Sequence, residues 1–161
     1  MNTARRWTLA LAVAVVAVGG SAATARADDA AVKAAIKHQD RTLSQSSQVK
    51  ALSNASEIKK SEIPKLEKLL KAVVPKLTHA ASAVSAKTAS TAKGAAGQNA
   101  WVKGVRDVAT GYRHVARELT DLRSANATGA KTQLNDARKV ITAGERLVLT
   151  ADSDLGLPQG D

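Results

Sequence analysis

The sequence predicts an all-α protein, an up-down-up-down four-helix bundle behind a cleavable N-terminal signal peptide. Three observations predict it. Apolar residues recur three and four apart along four separate segments, the spacing of one helix face. No run of β-branched and aromatic residues alternates with period two; Phe is absent, and beyond residue 27 the only aromatics are Trp101 and Tyr112. Alanine is abundant, which favours helix while supplying little area to bury.

The chain opens MNTARRWTLALAVAVVAVGGSAATARADD. Arg5 and Arg6 form a positive n-region, and Trp7 to Val18 is an apolar run shorter than the ~20 residues that span a bilayer. Gly19 and Gly20 end the run, and Ala25-Arg26-Ala27 gives an A-x-A cleavage site. Acidic residues are absent before Asp28 and begin there. The expected organisation is therefore a signal peptide over 1–27 and one helical domain over 28–161, with a secreted product, extracellular or associated with the cell wall. Arg5-Arg6 also fits a twin-arginine signal, but Ala4 and Thr8 depart from that pattern, so the general secretory route is preferred. No cysteine is present for lipid attachment or a disulfide, so the core alone must hold the domain. No membrane span is expected after cleavage.

The first mature segment, about Asp29 to Asn54, starts with acids suited to a helix N-terminus and carries Val32, Ile36, Leu43, Val49 and Leu52 on one stripe. Gln39, Ser46 and Ser47 interrupt it, making this the weakest helix of the four. The second segment places Ile63, Leu66, Leu70, Val73 and Leu77 in a clean seam that continues to Ala80, Ala81 and Val84. Pro64 falls in the first turn, where backbone N–H groups have no helical partner, and is tolerated. Pro75 removes a hydrogen bond to Lys71, at about 3 kcal/mol. Several leucine-sized burials at roughly 1.5–3 kcal/mol each outweigh that. The expectation is a helix over about 61–91, kinked between Lys71 and Pro75, rather than a short helix ending at Val74.

Gly94 and Gly97 read as a turn, with Asn99 capping the third helix. That helix carries Trp101, Val105, Val108, Tyr112, Val115, Leu119 and Leu122, and Asn126 and Gly129 close it. Gly104 and Gly111 lie a heptad apart beside the stripe, marking either a close helix contact or groove, or a surface of no consequence. The fourth helix runs from about Lys131 to Ser153 with Leu134, Ala137, Ile141, Gly144, Val148, Ala151 and Leu155 in register, and Val140 and Leu147 widening the stripe. Gly156 and Pro158 read as its stop. Short connections make neighbouring helices antiparallel. The same stripes pack within one chain or between chains, so oligomeric state stays open.

Catalysis is not expected. His114 and Glu118 share a helix face, with Asp121 three further on, but His38 and His79 sit on other helices without matching partners. No Glu-x-x-His, His-Glu-x-x-His, Gly-x-Ser-x-Gly or glycine-rich phosphate loop occurs, and no metal or cofactor is expected. His114–Glu118 reads as a surface ion pair. Asn54-Ala55-Ser56 and Asn126-Ala127-Thr128 match the glycosylation pattern, which is common by chance.

Charge is the remaining clue. Losing Arg5, Arg6 and Arg26 with the signal leaves 21 basic residues against 14 acidic ones, a net +7. Lys59, Lys60, Lys65, Lys68, Lys71 and Lys76 crowd the second helix, with Glu57, Glu62 and Glu67 between them. A nucleic-acid arm would carry fewer acids, more arginine and stacking aromatics, so nucleic acid is disfavoured. The expected function is non-catalytic: binding or structural contacts with a protein of unknown identity. The alternative is an anionic envelope polymer or lipid held by the lysine face.

Overall fold

The computed structural model describes residues 29–53, 60–123 and 127–157; the expected signal peptide lies outside them. Among the described residues there are five α-helices and no strand: α1 (Ala30–Gln45), α2 (Ser47–Ser53), α3 (Ile63–Ser85), α4 (Ala92–Arg123) and α5 (Ala127–Leu155). A 3-10 turn, Lys60–Glu62, leads into α3. None of these helices is long and apolar enough to cross a membrane. The stripes expected from the sequence converge. Leu70, Trp101, Leu119 and Ile141 are all buried in one cluster, with Val32 and Ile36 of α1 closing over it. Trp101 is its largest fully buried side chain.

The first segment is two helices instead of one. They part at Ser46, whose ψ of 121° is extended, where the interrupted stripe was weakest. Asp29 does not cap its own helix. Its carboxylate reaches across to the start of α4, accepting from the backbone N–H of Ser90 (3.3 Å) and Thr91 (3.4 Å) and from the Thr91 hydroxyl (2.5 Å). The Thr91 hydroxyl bond, helped by these N–H groups, holds the Asp29 carboxyl below the usual carboxylate range despite the opposing effect of burial.

Helix α3 runs unbroken through Pro75, with Pro64 in its first turn. Ile63, Leu66, Leu70, Val73, Leu77, Ala80, Ala81 and Val84 are all buried, so the seam overrides the proline as expected. Pro75 is exposed and contributes little to the core. Pro75→Ala should therefore restore the Lys71 hydrogen bond and raise stability by about 1–3 kcal/mol in urea unfolding.

The helix ends at Ser85, six residues short of expectation, because the polar groups past it have other partners. Gln98 is buried, and its amide donates to the carbonyls of Val84 and Lys87, both at 2.7 Å. Val84 belongs to the last turn, whose carbonyls lack intrahelical partners, and Lys87 lies just past the helix end. Helix α4 in turn begins at Ala92, well before Asn99. Thr91 is the cap: its hydroxyl accepts the Gly94 N–H at 2.9 Å, a bond that satisfies one orphan donor of the first turn.

Gly94 and Gly97 thus lie inside α4 and make no turn. Each is small because something occupies its Cβ position: the Asp29 carboxylate at Gly94, and Leu155, whose Cγ would stand 2.6 Å away, at Gly97. The pattern continues along the interface with α5. A Cβ on Gly104 would meet the Gly144 carbonyl oxygen at 2.6 Å, and one on Gly144 would meet the Gly104 carbonyl at 2.6 Å. Gly111 lies against Ile141 and the Ala137 carbonyl. Contacts that climb α4 descend α5, so the two are antiparallel, and Gly104 and Gly111 mark a close helix contact.

Helix α5 extends four residues N-terminal to the expected start, taking in Gly129; Asn126 lies outside the described residues. Its end is a Schellman motif. Gly156 has φ +64°, the Leu157 N–H bonds the Asp152 carbonyl at 2.7 Å, and the Gly156 N–H bonds that of Ser153 at 3.1 Å. The stop read at Gly156 is therefore present, while Pro158 lies outside the described residues. Val140 is 38% exposed and does not widen the buried stripe.

Candidate functional site

The described lysines of the expected face lie on the solvent side of α3, spread over roughly 140° of its back. Lys65, Lys68, Lys71 and Lys76 are all exposed on α3; a helix turns about 100° per residue and distributes them round its back. Lys65 and Lys76 share one flank, Lys68 opposes the core, and Lys71 stands roughly 120° from Lys65. Lys59 and the Lys60 side chain lie outside the described residues. Glu67, which the sequence places between the lysines, is buried at 7% exposure.

Lys71, at one edge of that spread, also meets two arginines of another helix. A groove of about 360 Å³ runs between α3 and α4, lined by Leu70, Lys71, Val74, Pro75, Arg113, Ala116, Arg117 and Thr120. Its floor is aliphatic. Its polar rim is cationic, from Lys71 on one wall and Arg113 and Arg117 on the other. The spacing Arg113, Ala116, Arg117, Thr120 brings all four to the α3-facing side of α4, because residues three and four apart share a helix face.

Arg113 is held in place across the groove: its guanidinium donates to the Thr78 hydroxyl at 3.1 Å and approaches that of Thr110 at 3.5 Å. The Thr78 hydroxyl donates onward to the Val74 carbonyl at 3.0 Å. That neutral anchor fixes the guanidinium without cancelling its charge. Among the described residues no carboxylate pairs with Lys71, Arg113 or Arg117. Pro75 adds a second polar feature. Lacking an N–H, it leaves the Lys71 carbonyl without a ladder partner beside the groove. The sequence gives Arg113 and Arg117 only as neighbours of acids; their meeting with Lys71 depends on how two helices are rotated against each other.

His114 and Glu118 do not form a surface pair, because His114 is exposed whereas Glu118 is buried at 3% exposure, in heptad register with Gly104 and Gly111. His38 and His79 are exposed on α1 and α3. Among the described residues no three His, Cys, Asp or Glu side chains gather as metal ligands. The arrangement in the groove suits ionic attraction of an anion combined with apolar contact. It presents no nucleophile beside a base.

No family model matches the chain, and neither the curated proteins nor the solved structures contain a match.

Proposed function

We propose that the chain is an exported, non-catalytic helical-bundle protein that binds a phosphate-bearing polymer or lipid of the cell envelope through the α3/α4 groove. In this reading α1 and α2 together make the first member of an up-down-up-down four-helix arrangement with α3, α4 and α5; the short links at 86–91 and 124–126 support it. Export rests on the n-region, apolar run and A-x-A site of residues 1–27. One observation carries the binding assignment: three cations without carboxylate partners flank an apolar strip. Unpaired cations concentrate anionic ligands, and the aliphatic floor adds contact for any ligand that is also apolar.

The test uses two probes: vesicles containing phosphatidylglycerol, and soluble polyphosphate. Binding should fall steeply with added salt. Each basic residue near an anionic surface contributes about 1 kcal/mol, so K71Q/R113Q/R117Q should weaken binding roughly a hundredfold. K65Q/K68Q/K76Q removes the same charge from the back of α3 and should weaken it far less. Equal losses from the two triple variants would return the contact to the lysine face; salt-independent binding would remove the ionic account. Preference for vesicles over polyphosphate identifies the apolar floor as part of the contact.

A further inference from the structure

The core contains an arrangement that burial alone does not account for. Asp152 of α5 is 1% exposed, and neither carboxylate oxygen has a hydrogen-bond partner. Trp101 of α4 is fully buried, and its indole N–H is also without a hydrogen bond of full geometry. Asp40 of α1 faces both. It lies close enough to Asp152 for an ionised partner to raise its pKa, and close enough to the indole N–H for that group to lower it. An unpaired charge in such a place costs several kcal/mol, so a buried carboxyl without a donor favours its neutral form.

We propose that Asp40 and Asp152 form a proton-operated latch, which docks α1 onto α4 and α5 while the pair holds a proton and loosens α1 when both carboxyls are ionised. Three helices each supply one group, Asp40 from α1, Asp152 from α5 and the Trp101 N–H from α4, while the main packing of α1 is against α3. Among the described residues no cation contributes to the shift of either carboxyl. A protonated member can donate to the other carboxylate, and the Trp101 N–H lies on the Asp40 side of the pair. Helix α1 is the element best suited to respond. It buries only Val32 and Ile36 fully, and a break at Ser46 separates it from α2.

Titration supports the geometry. Burial first, and the Asp152 charge second, push the Asp40 carboxyl up to about 7, while burial pushes Asp152 up to about 6. Further along α5 burial also raises Glu145, which faces Tyr112 of α4. A carboxyl whose pKa is raised on folding stabilises the fold most below its unfolded value near 3.9. That contribution is lost as pH climbs through the folded values, so the latch weakens between about pH 4 and 7. Asp29, held low by Thr91, acts with the opposite sign and releases α1 only under strong acid.

Amide hydrogen exchange, corrected for intrinsic rates, reads α1 (30–45) against α4 (101–119) at pH 5 and pH 8. The protection of α1 relative to α4 should fall roughly tenfold or more at the higher pH, since each unit of pKa shift is a factor of ten. Asp152→Asn and Asp40→Asn should each reduce that dependence, because burial alone still raises the remaining carboxyl, and D40N/D152N should abolish it. An unchanged wild-type ratio between pH 5 and 8 overturns the latch without recourse to any variant. So does a pH dependence left at its wild-type size in each single variant that folds, or one that survives in D40N/D152N, because it must then belong to another group.

Discussion

Trp101→Ala should lower the unfolding free energy by about 3–5 kcal/mol, a large part of the roughly 5–15 kcal/mol that usually holds a domain. The reason is position as much as size. Trp101 is fully buried at the level where α4 meets Asp40 of α1 and Asp152 of α5. Besides Trp101, the core is built mainly from aliphatic side chains, with Tyr112 its other aromatic. A close-packed core collapses only partly into an indole-sized void. Circular dichroism through a urea titration measures it. Trp101→Phe keeps most of the apolar volume and should lose markedly less. Similar losses from both variants would place the stabilisation in the indole N–H rather than in packing.

The second large effect has a sign opposite to that of an ordinary helix. Glycine in a helix interior costs about 1 kcal/mol relative to alanine, so Gly→Ala normally stabilises. Gly104→Ala and Gly144→Ala should instead each destabilise by about 1–3 kcal/mol, and the valine variants by more. Each new Cβ would stand 2.6 Å from a carbonyl oxygen of the facing helix, and backbone cannot rotate aside as a side chain can. The helices must separate along the interface that also holds Val108 and Val148. Since one separation relieves both clashes, G104A/G144A should cost less than the two single losses combined. Additive losses would mean that the two glycines act independently.

The apolar stripes were legible in the sequence because a buried helix face repeats every three or four residues, whatever lies opposite it. Ile63 to Val84, Trp101 to Leu119 and Leu134 to Leu155 all face inward on that basis, and burial overrides Pro75. Glycine misled because its two uses look alike in sequence. Gly94 and Gly97 resemble a turn but make room for Asp29 and Leu155, whereas Gly156 does adopt positive φ. Thr91 was hidden for a related reason. Its capping role is reinforced by Asp29, 62 residues away.

The candidate site was legible in part. Lys71 was among the lysines singled out, and the excess of positive charge pointed toward an anion. The partners Arg113 and Arg117 became visible only once α4 was rotated against α3, a relation that no single-helix pattern contains. The same holds for Asp40 and Asp152, which sit on different helices and have nothing in their flanking residues to connect them.

Localising a bound anionic surface on the molecule tests the binding account most directly. Hydrogen exchange with and without phosphatidylglycerol vesicles at low salt should show new protection over 70–75 of α3 and 113–120 of α4, fading as salt is raised. Protection over the Lys65–Lys76 flank with the groove left unchanged, or none at all, would contradict it.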